Sequence, residues 1–574
     1  MRLPSRGVVR IVMLLLVVAP AAAQDVVVPP RQAAIASANA QATDAGLEVL
    51  AAGGNAFDAA VAVSAALGLV EPESSGLGGG GFMLLHLPGE DGAPPRQVFI
   101  DARERAPAAA HRDMYLDAEG RVRPEASTNG ALAAAIPGLP AGLVHLSERY
   151  GRLPLSASLA PAIRLAREGW TFGSKNHAML GARREVLARS PAAAALFLPD
   201  GQVPEAGTVL RNPDYARTLE LLAEHGADGF YRGDYARRLV AGVRAGGGIW
   251  SEEDLADYRV VEREPLVFDY RGYRLVTAPP PSSGGIALAA IFNILSGYAL
   301  DTLSDTARIH LNVEAMRRAY RDRALYLGDP DFVQVPVAML LDRNYAAGLR
   351  AGINLERATP SELLPGIESR PERPETTHFS IVDGHGNAVA VTQTVNLTFG
   401  NAFAVEGTGF VLNNQMDDFS VKPGTPNAFG LIGAEANAIE SGKRPLSSMT
   451  PTFLIGEGRF AAIGTPGGSR IITMVLLGLQ DLIDGGSAQS AADRPRYHHQ
   501  YQPDVVSAEP GAFTAGQVAA LEALGHRVSE RESTWGNMQV VTWDQATGEV
   551  EAGSDVRWKS VGKGATSEGA AIYR

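Results

Sequence analysis

Pro374-Glu-Thr-Thr-His-Phe-Ser380 joins a polar, proline-studded segment, Glu368-Ser-Arg-Pro-Glu-Arg-Pro-Glu375, to a run that reads as a β-strand. A strand that simply begins with threonines after a proline loop is the commonest meaning of such a stretch. A second meaning depends on the backbone. An ordinary threonine hydroxyl is a poor nucleophile because nothing beside it accepts its proton. A chain cut before Thr376 would give that residue a free α-amine of pKa about 7.7 to 8.0, basic enough to serve near neutrality, whereas a lysine at about 10.4 is not. One residue would then supply nucleophile and base together. The cut can be self-made, by attack of the Thr376 hydroxyl on the Glu375 carbonyl and hydrolysis of the ester. The preceding loop has the polar character of an exposed processing site.

The following residues fix the geometry. With a three-residue loop at 384–386 inside Asp383-Gly-His-Gly-Asn387, Asp383 pairs with Asn387. The register then sets Thr376 opposite Thr394, His378 opposite Thr392 and Ser380 opposite Ala390, all on one face. A second hydroxyl is thereby expected within reach of the first.

With 45% hydrophobic and 20% charged residues, the 574-residue chain can bury a large core and is not disordered. Basic residues, the apolar run Ile11 to Val18 and Ala21-Ala-Ala23 read in that order as a cleavable secretory signal, residues 1–23. That run is too short to span a bilayer, and no later segment is apolar for about 20 residues, so no stable membrane anchor is expected. The mature protein is expected to be periplasmic or secreted. The chain has no cysteine, which excludes disulfides, a thiol nucleophile and a Cys-ligated zinc. Its net charge of −12 disfavours nucleic acid as a partner. The adjacent His498 and His499 cannot present two ligands from one face of a strand or helix, and no metal or other cofactor is expected.

Ala33 to Leu69 reads as helical, with Thr43 and Asn55 opening successive helices. Gly76, Gly78 and Gly81 satisfy G-x-G-x-x-G, and Asp101 lies twenty residues on. The order is helix, glycines, strand, the reverse of a dinucleotide site, so the glycines mark a close backbone passage instead. Residues 130–350 read as mostly helical. From Thr376 hairpin strands dominate, including 452–455 and 459–463, and helices return at Ile471 to Ile483 and Ala515 to Leu524. The fold class is α+β with layered antiparallel sheets.

Five further stretches accompany Thr376-Thr-His-Phe-Ser380: Gly78-Gly-Gly-Gly-Phe82, Asp101-Ala-Arg-Glu-Arg-Ala-Pro107, Asn413-Asn-Gln-Met-Asp-Asp-Phe419, Arg444-Pro-Leu-Ser-Ser-Met449 and Pro466-Gly-Gly-Ser-Arg470. In order and approximate spacing they resemble the γ-glutamyltranspeptidases, from about Ala33 to about Arg557. The resemblance implies a four-layer αββα sandwich of the N-terminal-nucleophile hydrolase type. It also implies a precursor that cuts itself between Glu375 and Thr376 into a large subunit, 24–375, and a small catalytic one, 376–574, forming one intertwined domain.

By the same resemblance, Thr376 is the nucleophile and Thr394 orients it, while Gly467 and Gly468 supply an oxyanion hole. Arg103, Ser447 and Ser448 hold the donor's α-carboxylate; Asp418, with Gln415 and Asn396, holds its α-ammonium. Small-molecule γ-glutamyl donors such as glutathione, with water, amino acids or peptides as acceptors, are the implied partners. A glutaryl or cephalosporin acylase on the same fold is an alternative that Asp418 disfavours, because those donors lack the amine. An inactive exported γ-glutamyl-binding protein is another, disfavoured by the presence of Thr376, Thr394 and the glycine pair.

Two departures stand out. Lys422-Pro-Gly-Thr-Pro-Asn-Ala-Phe-Gly-Leu431 resembles a lid loop, with Phe429 where a tyrosine often occurs, which implies a looser lid. Ser554-Asp-Val-Arg-Trp-Lys-Ser560 has Val556 in place of the proline of an Asp-Pro-Arg pattern, implying altered packing or oligomer contacts.

Overall fold

The computed structural model describes residues 27–89, 93–364, 376–431, 433–456, 458–557 and 570–573; the expected signal, 1–23, and Glu375 lie outside them. Two antiparallel sheets form the centre. The first has seven strands, in the order Ala570–Tyr573, Ala33–Ala36, Thr377–Val382, Ala388–Thr394, Gly80–Leu87, Arg96–Ala102 and Val261–Arg263. The second has six: Val550–Ser554, Gln539–Asp544, Arg459–Gly464, Thr452–Gly456, Tyr273–Thr277 and Leu266–Tyr270. Each sheet contains strands from both sides of Thr376.

Side-chain alternation builds the layers. In Gly80–Leu87, Phe82 and Leu84 join the core shared with the second sheet, and Met83 and Leu85 join the core under the helices. His86 follows the inter-sheet set, edge-on to Phe460 at 4.9 Å and Phe453 at 6.2 Å. The helix Ala56–Val70 is buried along its whole length against the first sheet. Its small residues allow that close approach. The apolar helices Gly284–Leu295 and Ile471–Ile483 cover the second sheet. The result is the helix–sheet–sheet–helix sandwich. No helix of the described residues is long and apolar enough to cross a membrane.

Several expectations need correction. Ala33–Ala36 is a strand inside the first sheet, not the start of a helical stretch. Alanine's helix propensity is weak beside the hydrogen bonds of two flanking strands. The first helix is Ala40–Ala51, capped by Asn39 and not opened by Thr43. Asn55 does open the next, in a reciprocal capping box with Asp58. Two of the six strands of the second sheet, Leu266–Tyr270 and Tyr273–Thr277, and the edge strand Val261–Arg263 of the first come from the region read as helical. The hairpin turn Arg271-Gly272 has positive φ at both residues, a two-residue turn that ends in Gly and was legible.

Buried histidines give the fold a pH dependence. Burial pushes His86 down to about 4, and His378 and His498 to about 3, from 6.5. Above pH 6.5 the imidazoles are neutral whether folded or unfolded, so they add no pH slope there. As pH falls below 6.5 the unfolded chain takes up protons that the folded protein refuses, and stability is lost towards pH 4. Tm is expected to drop across that window, and to drop less in His86→Gln, in a thermal-melt series at constant ionic strength.

Candidate active site

The hairpin pairs Val382 with Ala388, His378 with Thr392 and Thr377 with Gln393, the expected register. Thr376 stands one residue before its strand, and its Oγ1 lies 3.1 Å from Thr394 Oγ1. The Asn396 N–H donates to the same Thr394 oxygen at 2.8 Å, from a left-handed backbone with φ of 82°. Thr394 is held from behind as well. A Cβ on Gly79 would come within 2.0 Å of the Thr394 carbonyl oxygen, so the glycine run lies against another chain segment, as its order implied.

Residues without an assigned role in the sequence brace this pair. The Thr377 hydroxyl donates to Glu71 at 2.9 Å, and Glu71 accepts from Lys175 at 2.8 Å. His378 bridges Thr392 Oγ1 at 2.8 Å and Ser380 Oγ at 3.1 Å. Burial lowers its pKa to about 3 and keeps the ring neutral between the two hydroxyls. Gly464, the last residue of its strand, leaves room for that ring. Three residues later Gly467 and Gly468 turn the chain with φ of 140° and 53°. Among the described residues neither N–H finds an acceptor.

The expected donor-binding residues converge. Arg103 is buried and donates from Nη2 to Asp418, from Nη1 to Glu104 at 3.3 Å and from Nε to the Pro445 carbonyl at 3.1 Å. The two groups assigned to opposite ends of a zwitterion thus neutralise each other. Oriented to suit its neighbours, the Gln415 amide accepts from Arg103 and the Asn396 N–H and donates to Glu104 and the Val395 carbonyl. The Asn396 side chain donates to the Asn414 carbonyl at 3.0 Å. Burial raises Asp418 and lifts Glu104 to about 7.

Ser447 is zipped to the segment 281–283: its N–H donates to the Pro281 carbonyl, and its carbonyl accepts from the Ser283 N–H and hydroxyl, all at 2.8 Å. Its hydroxyl oxygen accepts from the Met449 N–H. The hydroxyl proton remains for a ligand, and that of Ser448 does too.

The loop carrying Phe429 is tied at two points. The phenyl ring is buried with Leu397, Ala428 and Leu431. The Ala428 N–H donates to Asp417 at 2.9 Å, and Gln500 donates to the Gly430 carbonyl at 3.3 Å. Neither tie needs a ring hydroxyl. In the tail, Asp555 and Arg557 lie in a buried ion-pair group with Arg496 and Glu509, whereas Val556 is 38% exposed. The Val556 N–H donates to Asp493 at 3.2 Å, a bond that a proline there could not make.

One other cluster joins distant residues. His310, Glu314 and His526 are close enough to share an ion, but Glu314 already accepts from Arg317, Arg318 and Thr359, and the imidazoles bond each other at 2.7 Å. Hydrogen bonds account for Glu314 and His310, while His526 Nδ1 has no partner among the described residues.

The family model for gamma-glutamyltranspeptidase matches residues 42–565. The chain belongs to the γ-glutamyltranspeptidase family. Among its relatives, a glutathione hydrolase proenzyme of Pseudomonas sp. (strain A14) is 46% identical over 85% of this chain and 84% of its own length. The glutathione hydrolase proenzyme of Escherichia coli (strain K12) is 41% identical over 92% and 90%. A solved cephalosporin acylase from Bacillus halodurans superposes with a TM-score of 0.80 at 29% identity, covering 98% of this chain and 99% of the acylase. As in other γ-glutamyltranspeptidases, the fold is that of the N-terminal-nucleophile hydrolases.

The shared hydroxyl of Thr394 yields a direct test. Thr394→Val keeps the β-branched shape but removes the hydroxyl partner of Thr376 and the acceptor of the Asn396 N–H. Turnover of γ-glutamyl-p-nitroanilide by this variant is expected to fall about 10²-fold, the scale of losing one positioned polar group at a reaction centre.

Proposed function

We propose that this protein is an exported, self-processed γ-glutamyltranspeptidase that hydrolyses glutathione and related γ-glutamyl compounds. The observation that carries the reading is the Thr376–Thr394 hydroxyl contact, joined through the Asn396 N–H and Gln415 to the Arg103–Asp418 ion pair. In maturation, Thr376 Oγ1 attacks the Glu375 carbonyl and displaces its own nitrogen. Water then cleaves the ester, leaving residues 24–375 and 376–574 as an intertwined pair.

In catalysis the free α-amine takes the Thr376 hydroxyl proton as Oγ1 adds to the γ-carbonyl. The oxyanion accepts from the Gly467 and Gly468 N–H groups. Collapse expels the amine leaving group, which receives the proton, and leaves a γ-glutamyl ester on Thr376. Water or an acceptor amine, deprotonated by the same α-amine, attacks the ester and restores the enzyme. Thr394 holds the nucleophile in line, aided by the Asn396 backbone.

Donor recognition follows from the charges. Asp418 releases Arg103 in exchange for the substrate ammonium, with Gln415 and Asn396 beside it, and Arg103, Ser447 and Ser448 take the α-carboxylate. Each charge-assisted bond contributes about 1.5 to 3 kcal/mol, and a buried charge left alone costs more. A pocket that exchanges an internal ion pair for a zwitterion therefore favours glutamyl over glutaryl donors. The likeness to the cephalosporin acylase favours a second reading, a glutaryl or cephalosporin acylase. Faster turnover of glutaryl-p-nitroanilide than of γ-glutamyl-p-nitroanilide by the mature enzyme would select it.

Intact mass and N-terminal sequencing test the nucleophile. The wild type is expected as two chains, the smaller beginning Thr-Thr-His-Phe-Ser, and Thr376→Ala as one uncut, inactive chain. A wild type that stays whole under maturing conditions would leave only a γ-glutamyl-binding protein. For the lid, Phe429→Tyr is expected to lower the ratio of hydrolysis to transfer by adding a hydroxyl tie, measured as glutamate released against γ-glutamyl-glycylglycine formed; an unchanged ratio rejects that role.

A further inference from the structure

Six arginines of the described chain are buried: Arg103, Arg317, Arg318, Arg323, Arg444 and Arg496. Five have a carboxylate partner, respectively Asp418, Asp504, Glu314, Asp101 and Asp555 for all but Arg323. Arg323 has none within ion-pair distance among the described residues. It lies in the last turn of the helix Asp305–Tyr326, where its Nε donates to Ser283 Oγ at 3.0 Å and its Nη2 to Ser448 Oγ at 3.3 Å. Those two bonds use two of five N–H groups. Burial without a counter-ion is the costly state for a guanidinium.

Arg323 lines a small cavity with Tyr320, Ala324, Leu431, Gln500 and Tyr501, and Gln500 donates to the Gly430 carbonyl. One of the two partners of Arg323, Ser448, belongs to the donor pocket as read above. Its field also favours the ionised form of Asp418, the group assigned to the donor's ammonium. Arg103, in contrast, already donates from all three nitrogens.

We propose that Arg323 is a second cation for the donor's α-carboxylate, acting directly and through Ser448, and is a specificity-determining residue of the γ-glutamyl site. The proposal rests on the γ-glutamyl reading. It explains how one pocket holds a full zwitterion when Arg103 and Asp418 cancel each other. Asp418 turns to the ammonium, and the carboxylate spans the two guanidiniums. The serine pair fills the gap between them, since Ser283 tethers Arg323 through its hydroxyl while its own N–H and O–H hold the Ser447 carbonyl. A donor without the α-carboxylate would leave Arg323 uncompensated, so the site selects for that group.

The test compares two donors on fully cut enzyme: γ-glutamyl-p-nitroanilide and 4-aminobutanoyl-p-nitroanilide, which keeps the amine but lacks the carboxylate. In Arg323→Gln the ratio of their kcat/KM values, glutamyl over aminobutanoyl, is expected to fall about tenfold or more, the scale of one lost charge-assisted bond. The change should come mainly from KM of the glutamyl donor. A merely structural role lowers both donors alike, and an unmoved ratio overturns the proposal. Should Arg323→Gln remain uncut, Arg323→Lys keeps the cation but loses the fork, and the same ratio is expected to fall; an unmoved ratio there is equally decisive. A wild-type enzyme that turns over neither donor would refute the γ-glutamyl reading itself, whatever the variants do.

Discussion

Everything at this site depends on one hydroxyl being held next to another. The Thr376–Thr394 contact joins the residue before one strand to the last residue of its neighbour, so hairpin register controls it directly. A slip of one residue would turn Thr394 away from Thr376 and exchange every core side chain of the strand between faces. The register is secured at both ends. The Asp383 side chain accepts from the His385 and Asn387 N–H groups at the turn, and from the Ala56 N–H at the start of the long buried helix. At the other end, Gly79 lets a neighbouring backbone press against Thr394.

The electrostatics follow from burial. Arg103, Glu104 and Arg323 are buried and Asp418 is largely so, and each is governed by its neighbours. Burial lifts Glu104 to about 7 and lowers Arg323 to about 10, opposite shifts with the same cause. Without a ligand the pocket balances its charge internally through Arg103 and Asp418, and Arg323 stays unpaired. The zwitterion of the proposed function would suit such a set, because its two ends would compensate both a released carboxylate and the guanidiniums.

The fold explains how a cut chain could keep this arrangement. Each sheet contains strands from before and after Thr376. The Ser447 segment is zipped to residues 281–283 across the same divide, and the central strand Thr377–Val382 is flanked on one side by Ala33–Ala36. Breaking one peptide bond before Thr376 removes no strand pairing and no core contact described above. What it adds is an amine beside a hydroxyl.

The sequence by itself determined the parts governed by local rules. The turn residues and the alternation after Thr376 specify a register, and register alone places Thr394 opposite Thr376. The order of helix, glycines and strand rules out a dinucleotide loop, and motif order identifies the family. It misled where local preference and tertiary need diverge: Ala33–Ala36 prefers a helix but completes a sheet. Only the tertiary structure could decide which buried charges lack partners. Arg323 and Ser448 lie 125 residues apart in the chain, and Thr377 and Glu71 lie 306 apart. Whether a guanidinium is paired depends on distances of a few ångströms between such remote segments, and neither composition nor spacing carries that information.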